Sequence, residues 1–389
     1  MDAAGACQLP ANAPAVGAMS EAPKVYFTVF AGRRRYLSVL LAYVRPLLDD
    51  KTLDVAHLWD YCRLQLDREY LKTVADPSRG IEIVNPPASD KTARYPNKWK
   101  GYYVHYAALL KETDYLVKCD DDVVFIANLP VLLNVAKSDT AGAHLMYYPS
   151  VVNNDVSASY QAADGVLTDP EYILRMRPSI HDSRYTYSAI SDWYNCTKCA
   201  SHVHTRFLSN PESFFTGCIH EWSDAARVPI NFFVMRGGAV RQHFGSYVHE
   251  QFVDEPYFTA LLTARTKLPS LLVTDTVVSH FSFGFQHMQD EKELLEKYRK
   301  LGKEKALLST LKEKYGGRTL STSCPSTAPS HLLQGRRNNP RNDEPPWSEK
   351  SAGGKGGAGG GGKAKGMGSK GRGAKGRGSK GGGRGEPRL

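Results

Sequence analysis

The 389-residue sequence lacks any long apolar run, and no stretch approaches the roughly 20 apolar residues that span a bilayer. The N-terminus has an acid directly after Met1 and no charged region ahead of an apolar one, which argues against a signal peptide or anchor. Cysteine is scarce as well, and seven thinly spread cysteines do not resemble a disulfide framework. We therefore expect a soluble protein of a reducing compartment with no membrane span.

The formal net charge of +10 is concentrated at the C-terminus. Residues 351–389 contain ten Lys or Arg, one acid and 18 of the 34 glycines. The rest of the chain is close to neutral, which argues against a nucleic-acid-binding function for the whole protein. Two roles of the basic tail remain open, nonspecific tethering to an anionic partner and simple solubilisation.

Composition predicts four regions along the chain. Residues 1–23 are small, Ala-rich and punctuated by proline, so we expect them to be disordered. Residues 24–318 have the apolar content of one folded domain. Residues 319–350 are rich in Pro, Ser and Asn and are predicted to form a linker. The Gly/Lys/Arg-rich residues 351–389 are predicted to be a disordered tail.

Strand-like and helix-like patterns alternate over about the first 130 residues. Short β-branched and aromatic runs predict strands at residues 25–30, 55–59, 81–84 and 115–118, and apolar spacing predicts helices at 36–48 and 99–111. This alternation predicts a parallel α/β sheet with right-handed crossovers. Further on, we predict strands at 231–235, 271–274 and 276–281, a helix at 255–265, and a charged helix or helix pair at 290–314 that breaks near Gly302.

Three consecutive acids, Asp120, Asp121 and Asp122, follow the predicted strand at 115–118 and have apolar residues on both sides. Like charges at the tip of a buried strand repel each other, and they persist most easily when a cation lies among them. Oxygen ligands suit a hard ion such as Mn²⁺ or Mg²⁺. In open α/β sheets, ligands bind beyond the carboxyl ends of the strands. The alternative is a solvated turn whose acids cap the next element.

The segment KCDDDV at residues 118–123 resembles the K-x-DDDV segment of GT-A nucleotide-sugar glycosyltransferases. These include Fringe-like galactosyl- and N-acetylglucosaminyltransferases and the soluble enzymes of large algal viruses. Looser similarities continue in chain order, at Lys98-Trp99, at the strand and glycine loop of residues 232–239, at 253–258 and at 278–281. The resemblance covers roughly residues 25–299. It implies a Rossmann-like GT-A fold, with a mixed, mostly parallel sheet flanked by helices in a single domain.

We expect two departures from the Golgi members of the family that the sequence resembles, namely the lack of a membrane anchor and the lack of a disulfide-like cysteine set. Both departures favour the soluble viral or microbial branch, and therefore a cytoplasmic or virion-associated location.

The resemblance also implies roles for the acids. Asp122 would be a direct metal ligand, and Asp120 would face the ribose and the metal, while the role of Asp121 stays open. His280 would be the second protein ligand, through a neutral imidazole nitrogen. A lone histidine in a strand is more often structural, but its position after the acids favours a ligand.

Sugar transfer also requires a base that takes the proton of the acceptor hydroxyl. Asp254 and Glu255, at the start of a predicted helix, are the candidates for this role. The alternative is a pair of acids that stabilises the helix N-terminus. The resemblance implies inversion at the anomeric carbon.

The nucleotide is expected to lie across the tips of the first strands. The candidate contacts, besides Asp120 and Asp121, are Phe30, Ala31, Gly32, Arg33, Trp59, Asp60 and Lys98. Gly32 permits a close backbone approach. Arg33 and Lys98 suit phosphate, and Asp60 suits the base or ribose. For Arg33, the alternative is a solvated basic start to a helix.

A second metal hypothesis comes from the pattern C-x-x-C followed by H-x-H. Cys196, Cys199, His202 and His204 offer thiolates and imidazoles of the kind that hold structural Zn²⁺. The histidine pair is more closely spaced than usual. The alternative is a pair of reduced cysteines beside loop histidines.

Together these patterns predict a metal-dependent hexosyltransferase. It would move a sugar from a nucleotide-diphosphate donor, with UDP favoured by the resemblance, to a hydroxyl of a glycan or glycoprotein. Two other functions remain open. One is a nucleic-acid-associated module whose body is catalytically silent, and the other is a metal-dependent phosphohydrolase that uses the same acids.

Overall fold

The structure is a computed structural model that describes residues 22–92, 99–169, 193, 196–222, 230–250, 253–283 and 286–324. The chain divides into two units, residues 1–341 and 342–389, and the second lies entirely outside the described residues. Also outside them lie Lys98, residues 1–21 of the N-terminus predicted to be disordered (1–23), residues 325–350 of the predicted linker (319–350) and the predicted tail at 351–389. In the described part of the chain, no helix has both the length and the apolar character needed to cross a bilayer.

One mixed sheet organises the described residues. Its strands are β1 (Val25–Val29), β2 (Val55–Trp59), β3 (Ile81–Val84), β4 (Tyr115–Cys119), β5 (Val123–Ala127), β6 (Tyr147–Val152), β7 (Ile219–Trp222), β8 (Phe232–Arg236) and β9 (Ser270–His280). The order is β3-β2-β1-β4-β8-β6-β9-β5, and β7 pairs with β9. The first four strands pair in parallel, and β8 begins the antiparallel part. The expected mixed α/β sheet is therefore confirmed.

Helices connect and flank these strands. They are α1 (Arg34–Asp49), α2 (Gln65–Val74), α3 (Ala88–Thr92), α4 (Lys100–Leu109), α5 (Leu129–Ser138), α6 (Asp155–Ala163), α7 (Thr197–Ser209), α8 (Gly237–Tyr247), α9 (Asp254–Pro256), α10 (Leu262–Thr266), α11 (Glu291–Leu301) and α12 (Lys305–Tyr315). A π-helical turn, Tyr257–Leu261, joins α9 to α10. The predicted helices at 36–48, 99–111 and 255–265 are confirmed, as is the break near Gly302.

Two apolar clusters hold the helices to the sheet. In the first, α1 packs on β5, where the rings of Tyr43 and Phe125 lie 5.2 Å apart. In the second, α4 packs against α8, and the rings of Tyr103 and Phe244 lie 4.8 Å apart. Aromatic pairs at these distances add to the free energy gained from apolar burial. They fix α1 on β5 and α4 on α8.

Two local predictions were wrong. Gly237, expected in a loop, begins α8, and its N–H donates to the carbonyl of Asp114 at 2.7 Å. A Cβ at this position would lie 1.9 Å from the carbonyl oxygen of Lys111, so the glycine serves a close backbone approach. The two strands predicted at 271–274 and 276–281 are one strand, β9, whose pairing with β6 shifts register within this stretch.

The cysteine prediction was also wrong, because the structure contains two disulfides, Cys196–Cys199 and Cys218–Cys324. The second joins cysteines 106 residues apart, a pairing that the spacing of cysteines along a sequence does not reveal. It also bonds Cys324, which lies beyond the domain boundary expected at residue 318, to Cys218 inside the predicted domain. The disulfides remove the reason for expecting a reducing compartment.

Candidate functional site

A cleft of about 790 Å³ opens where β1, β2 and β4 end. Most of the sequence-predicted site residues line it, namely Phe30, Gly32, Arg33, Asp60, Asp120, Asp121, Asp122, Asp254, Glu255 and His280. Ala31 and Trp59 do not line the cleft and are almost fully buried. The structure thus gathers at one site residues that are spread over about 250 positions of the chain, from Phe30 to His280.

The acid triplet is held by two buried strands. Every residue of β4 and β5 is buried, and the three aspartates form the short connection between them. The N–H of Asp120 donates to the carbonyl of Asn231, just before β8, at 2.9 Å. The triplet is therefore fixed by the sheet on both sides, unlike a solvated turn.

The register of β5 against β9 brings His280 to the triplet. Val123 pairs with His280 across the antiparallel ladder, and the N–H of Phe281 donates to the carbonyl of Asp122 at 2.8 Å. As a result, His280 Nε2 lies 3.2 Å from Asp122 Oδ1. Burial works to raise the pKa of Asp122, but His280 and Arg33 outweigh it and hold that pKa well below its usual range.

Asp120 completes a group of possible metal ligands. One donor atom from each of Asp120, Asp122 and His280 lies within 4.8 Å of the other two. Asp120 accepts hydrogen bonds from Lys118 Nζ and, at 3.0 Å, from Asn231 Nδ2. Neither Lys118 nor Asn231 was assigned a role from the sequence, although Lys118 stands in the motif and Asn231 adjoins a predicted strand.

The chemistry of this group fits a divalent cation. Two carboxylates and one imidazole are donors that Mn²⁺ accepts readily, and Mg²⁺ accepts the carboxylates. The Nδ1 atom of His280 is buried and has no hydrogen-bond partner among the described residues. Among the described residues, the three carboxylates form ion pairs with two cationic side chains, Arg33 and Lys118, and these pairs leave a negative excess when His280 is neutral. A bound cation would remove that excess.

Arg33 is committed to the acids in this structure. Its Nε and Nη2 donate to both carboxylate oxygens of Asp121, at 3.0 and 2.6 Å, and Nη2 also donates to Asp122 at 2.8 Å. Burial raises the pKa of Asp121, and the ion pair with Arg33 opposes that shift. A Cβ on Gly32 would lie 3.0 Å from Asp121 Oδ2, so the small residue allows this approach.

Another part of the cleft lining, called here the aromatic wall, contains Phe30, Asp60, Tyr61, Arg68 and Trp99. Asp60 accepts from Arg68 Nε at 2.9 Å, and Arg68 was not identified from the sequence. Tyr61 and Trp99 lie edge to face with their ring centroids 4.5 Å apart, and Phe30 packs against both. In the sequence, only the positions of Tyr61 and Trp99 point to the site, because the first lies just after a predicted strand and the second at the start of a predicted helix. The wall offers flat apolar surfaces beside hydrogen-bonding groups.

Asp254 lies in the same cleft, at the first residue of α9. Its Oδ2 accepts from the hydroxyl of Tyr103 at 2.8 Å, and its Oδ1 accepts from the N–H of Glu255 at 2.9 Å. Burial raises the pKa of Asp254 above its ordinary value, and Lys118 opposes that shift. A partly buried, oriented carboxylate of raised pKa has the properties of a general base.

The zinc prediction was wrong. Cys196 and Cys199 are bonded to each other, so neither offers a thiolate. The two histidines lie on α7 rather than in a loop, and residues two apart on a helix point to different sides. His204 is buried, donates from Nε2 to the carbonyl of Phe281 at 2.7 Å, and accepts at Nδ1 from Tyr298 at 2.8 Å. Both nitrogens of its ring are therefore occupied.

No known family model matches the chain, and no curated protein matches it in sequence. Among solved structures, the galactosyltransferase LgtC in complex with donor and acceptor sugar analogs is similar at 10% identity, over 71% of this chain and 95% of that one, with a TM-score of 0.34. The mannosyltransferase Ktr4p from S. cerevisiae is similar at 12% identity, over 66% and 67%, with a TM-score of 0.28.

Proposed function

We propose that this chain is a metal-dependent glycosyltransferase of the GT-A type. It transfers a hexosyl group from a nucleotide-diphosphate sugar, with UDP as the nucleotide, to a hydroxyl of a glycan or glycoprotein. The proposal includes inversion at the anomeric carbon. Residues 24–318 and the segment up to Cys324 form the catalytic body, and residues 351–389 are a basic extension that the reaction does not need.

A single observation carries the proposal. Asp120, Asp122 and His280 lie at the ends of β4, β5 and β9, and their donor atoms converge in a cleft that also contains a partly buried carboxylate, Asp254. A diphosphate needs charge compensation where it leaves, and an acceptor hydroxyl needs a base where it attacks. This cleft provides groups for both tasks.

The metal would be held by Asp120, Asp122 and His280. A bound Mn²⁺ or Mg²⁺ supplies Lewis-acid stabilisation of the departing diphosphate oxygen. Asp121 acts by holding Arg33, through its two hydrogen bonds from the guanidinium, at the mouth of the metal site. From there Arg33 can turn one N–H toward a phosphate oxygen.

The aromatic wall is the proposed seat of the nucleoside. Tyr61 and Trp99 offer ring faces and edges to a base, and base–aromatic stacking contributes about 1–3 kcal/mol per base. Asp60, oriented by Arg68, accepts from the base or the ribose. Phe30 closes the wall at the end of β1.

Asp254 is the proposed base. The hydroxyl of Tyr103 and the N–H of Glu255 fix its carboxylate in one orientation. Because burial raises its pKa, the carboxylate holds a transferred proton better than a solvated aspartate does. Glu255 also lines the cleft. Its proposed contribution is its negative charge and contact with the acceptor substrate.

The test is release of the nucleoside diphosphate from a panel of nucleotide sugars, with Mn²⁺ and with or without a chelator. The wild-type chain is expected to show slow release that the chelator abolishes and that an added acceptor accelerates. Asp122→Ala and His280→Ala should both abolish it. His243→Ala is the matched control, since His243 is buried but does not line the cleft. Release of free phosphate, or release that an acceptor never accelerates, would indicate a phosphohydrolase.

A further inference from the structure

A second cluster of metal-type donors lies away from the cleft, where β7 pairs with the first half of β9. One donor atom from each of Asp164, Cys218 and His220 lies within 4.8 Å of the other two. His220 pairs with Leu272, eight residues along β9 from His280, which is roughly 25 Å in a strand. Cys218 and His220 are two residues apart in extended chain and so share one face.

The polar groups of this cluster are buried and incompletely satisfied. The side chains of Asp164 and His220 are 2% and 4% exposed, and Asp164 Oδ2 lies 3.2 Å from His220 Nε2. Asp164 Oδ1 is buried with no hydrogen-bond partner among the described residues. An unpaired buried carboxylate oxygen is costly, so it points to an absent ligand. The 3.2 Å contact is a hydrogen bond, and Thr216 Oγ1 also donates to Asp164 Oδ2 at 2.8 Å, so the unpartnered oxygen is Oδ1 alone.

Cys324 is the candidate for a fourth donor, although its sulfur is not among the three donor atoms that lie within 4.8 Å of one another. In this structure it is bonded to Cys218. Backbone hydrogen bonds hold its segment in place independently, because Ile219 N–H donates to the carbonyl of Ser321 at 2.9 Å and Ser321 N–H donates to that of Gly217 at 2.8 Å. Cleavage of the disulfide would therefore leave the Cys324 segment beside β7, and the Cys324 side chain would turn toward His220 and Asp164 to complete the donor set.

We propose that reduction of the Cys218–Cys324 disulfide converts this cluster into a tetrahedral Zn²⁺ site. A dithiol reductant supplies two electrons and two protons, the S–S bond breaks to give two thiols, and the dithiol becomes a disulfide. Zn²⁺ then binds both thiolates, one nitrogen of His220 and one oxygen of Asp164, and the two thiol protons pass to solvent. The same two segments are thus joined by a covalent bond under oxidising conditions and by a metal under reducing ones.

The experiment compares zinc content in two redox states of the full chain. One sample keeps its disulfides, and the other is reduced with dithiothreitol and desalted without oxygen. Both are incubated with Zn²⁺ and passed through a gel-filtration column. We expect one additional zinc per chain in the reduced sample, and Co²⁺ in its place should give thiolate charge-transfer absorption. Zinc at the cleft contributes equally to both samples, so equal zinc content would overturn the proposal.

Variants assign the additional zinc to this cluster. Asp164→Asn preserves the shape of the side chain and should weaken the zinc Kd of the reduced chain by at least about tenfold. Cys324→Ser should lose the additional zinc altogether, which provides a second test if the first variant does not fold. The control is the double variant Cys196→Ser, Cys199→Ser, which should keep it. Loss of the additional zinc in the control, with retention in Cys324→Ser, would place the metal at the other cysteine pair and refute the proposal.

Discussion

Replacement of Arg33 by methionine tests how the negative charge of the acid triplet is compensated. Arg33 makes three charge-assisted hydrogen bonds, at 2.6, 2.8 and 3.0 Å, to two buried carboxylates. Removing one partner of a buried ion pair costs about 3–5 kcal/mol. Since the Arg33 side chain is 39% exposed, we reduce this to about 2–3 kcal/mol. That loss lowers the Tm of a chain of this size by about 3–6 °C.

Metal should reverse part of this effect. At saturating Mn²⁺, the doubly charged ion supplies positive charge that the variant lacks, so its deficit in unfolding free energy should shrink by about 1 kcal/mol or more. The assay is urea unfolding of Arg33→Met and wild type, in chelator and in Mn²⁺. Arg35→Met is the matched control, because Arg35 also lies over the Tyr36 ring but pairs at the surface with Glu291. If both variants lose the same stability, or if Mn²⁺ leaves the Arg33→Met deficit unchanged, the charge argument is refuted.

Three other predictions concern the base, the long disulfide and a helix start. Asp254→Asn should lower kcat by about 10²–10⁴-fold, and the wild-type rate should fall with decreasing pH at a pKa above the usual aspartate range, because only the ionised carboxylate accepts a proton. Cys324→Ser should lower the free energy of unfolding by about 4–5 kcal/mol under oxidising conditions, since it opens a loop of 106 residues. Gly237→Ala should cost about 3 kcal/mol because its Cβ would collide with the Lys111 carbonyl, whereas Gly245→Ala, with open space around it, should stabilise α8 by up to about 1 kcal/mol.

The elements that build the cleft were predictable where local pattern and burial agree. The runs at β2 and β3 predicted their strands residue for residue, because short buried strands between turn residues have a clear local signal. The triplet was recognisable for a related reason, since three acids between apolar runs conflict with burial unless they have a function. The choice of Asp122 and His280 as neighbours relied on chain order and resemblance, and the β5–β9 register now provides the physical cause.

The remaining features depend on contacts between distant parts of the chain. Arg33 lies 88 residues from Asp121, and no periodic pattern connects them. The pairing of Cys218 with Cys324 is likewise a tertiary contact. The C-x-x-C pattern is ambiguous because two cysteines on the first turn of a helix are close enough either for a metal or for a disulfide. The spacing of the cysteines does not distinguish a metal site from a disulfide. The hydrogen bonds to both ring nitrogens of His204 do, because they leave this histidine no nitrogen for a metal.

Calorimetric measurement of Mn²⁺ binding to the full chain, in the presence of UDP, tests the central claim that the triplet and His280 form a cation site. The account predicts binding of one Mn²⁺ that weakens by about a hundredfold or more in both Asp122→Ala and His280→Ala and is unchanged in His243→Ala. Binding of equal affinity in all four proteins would contradict it.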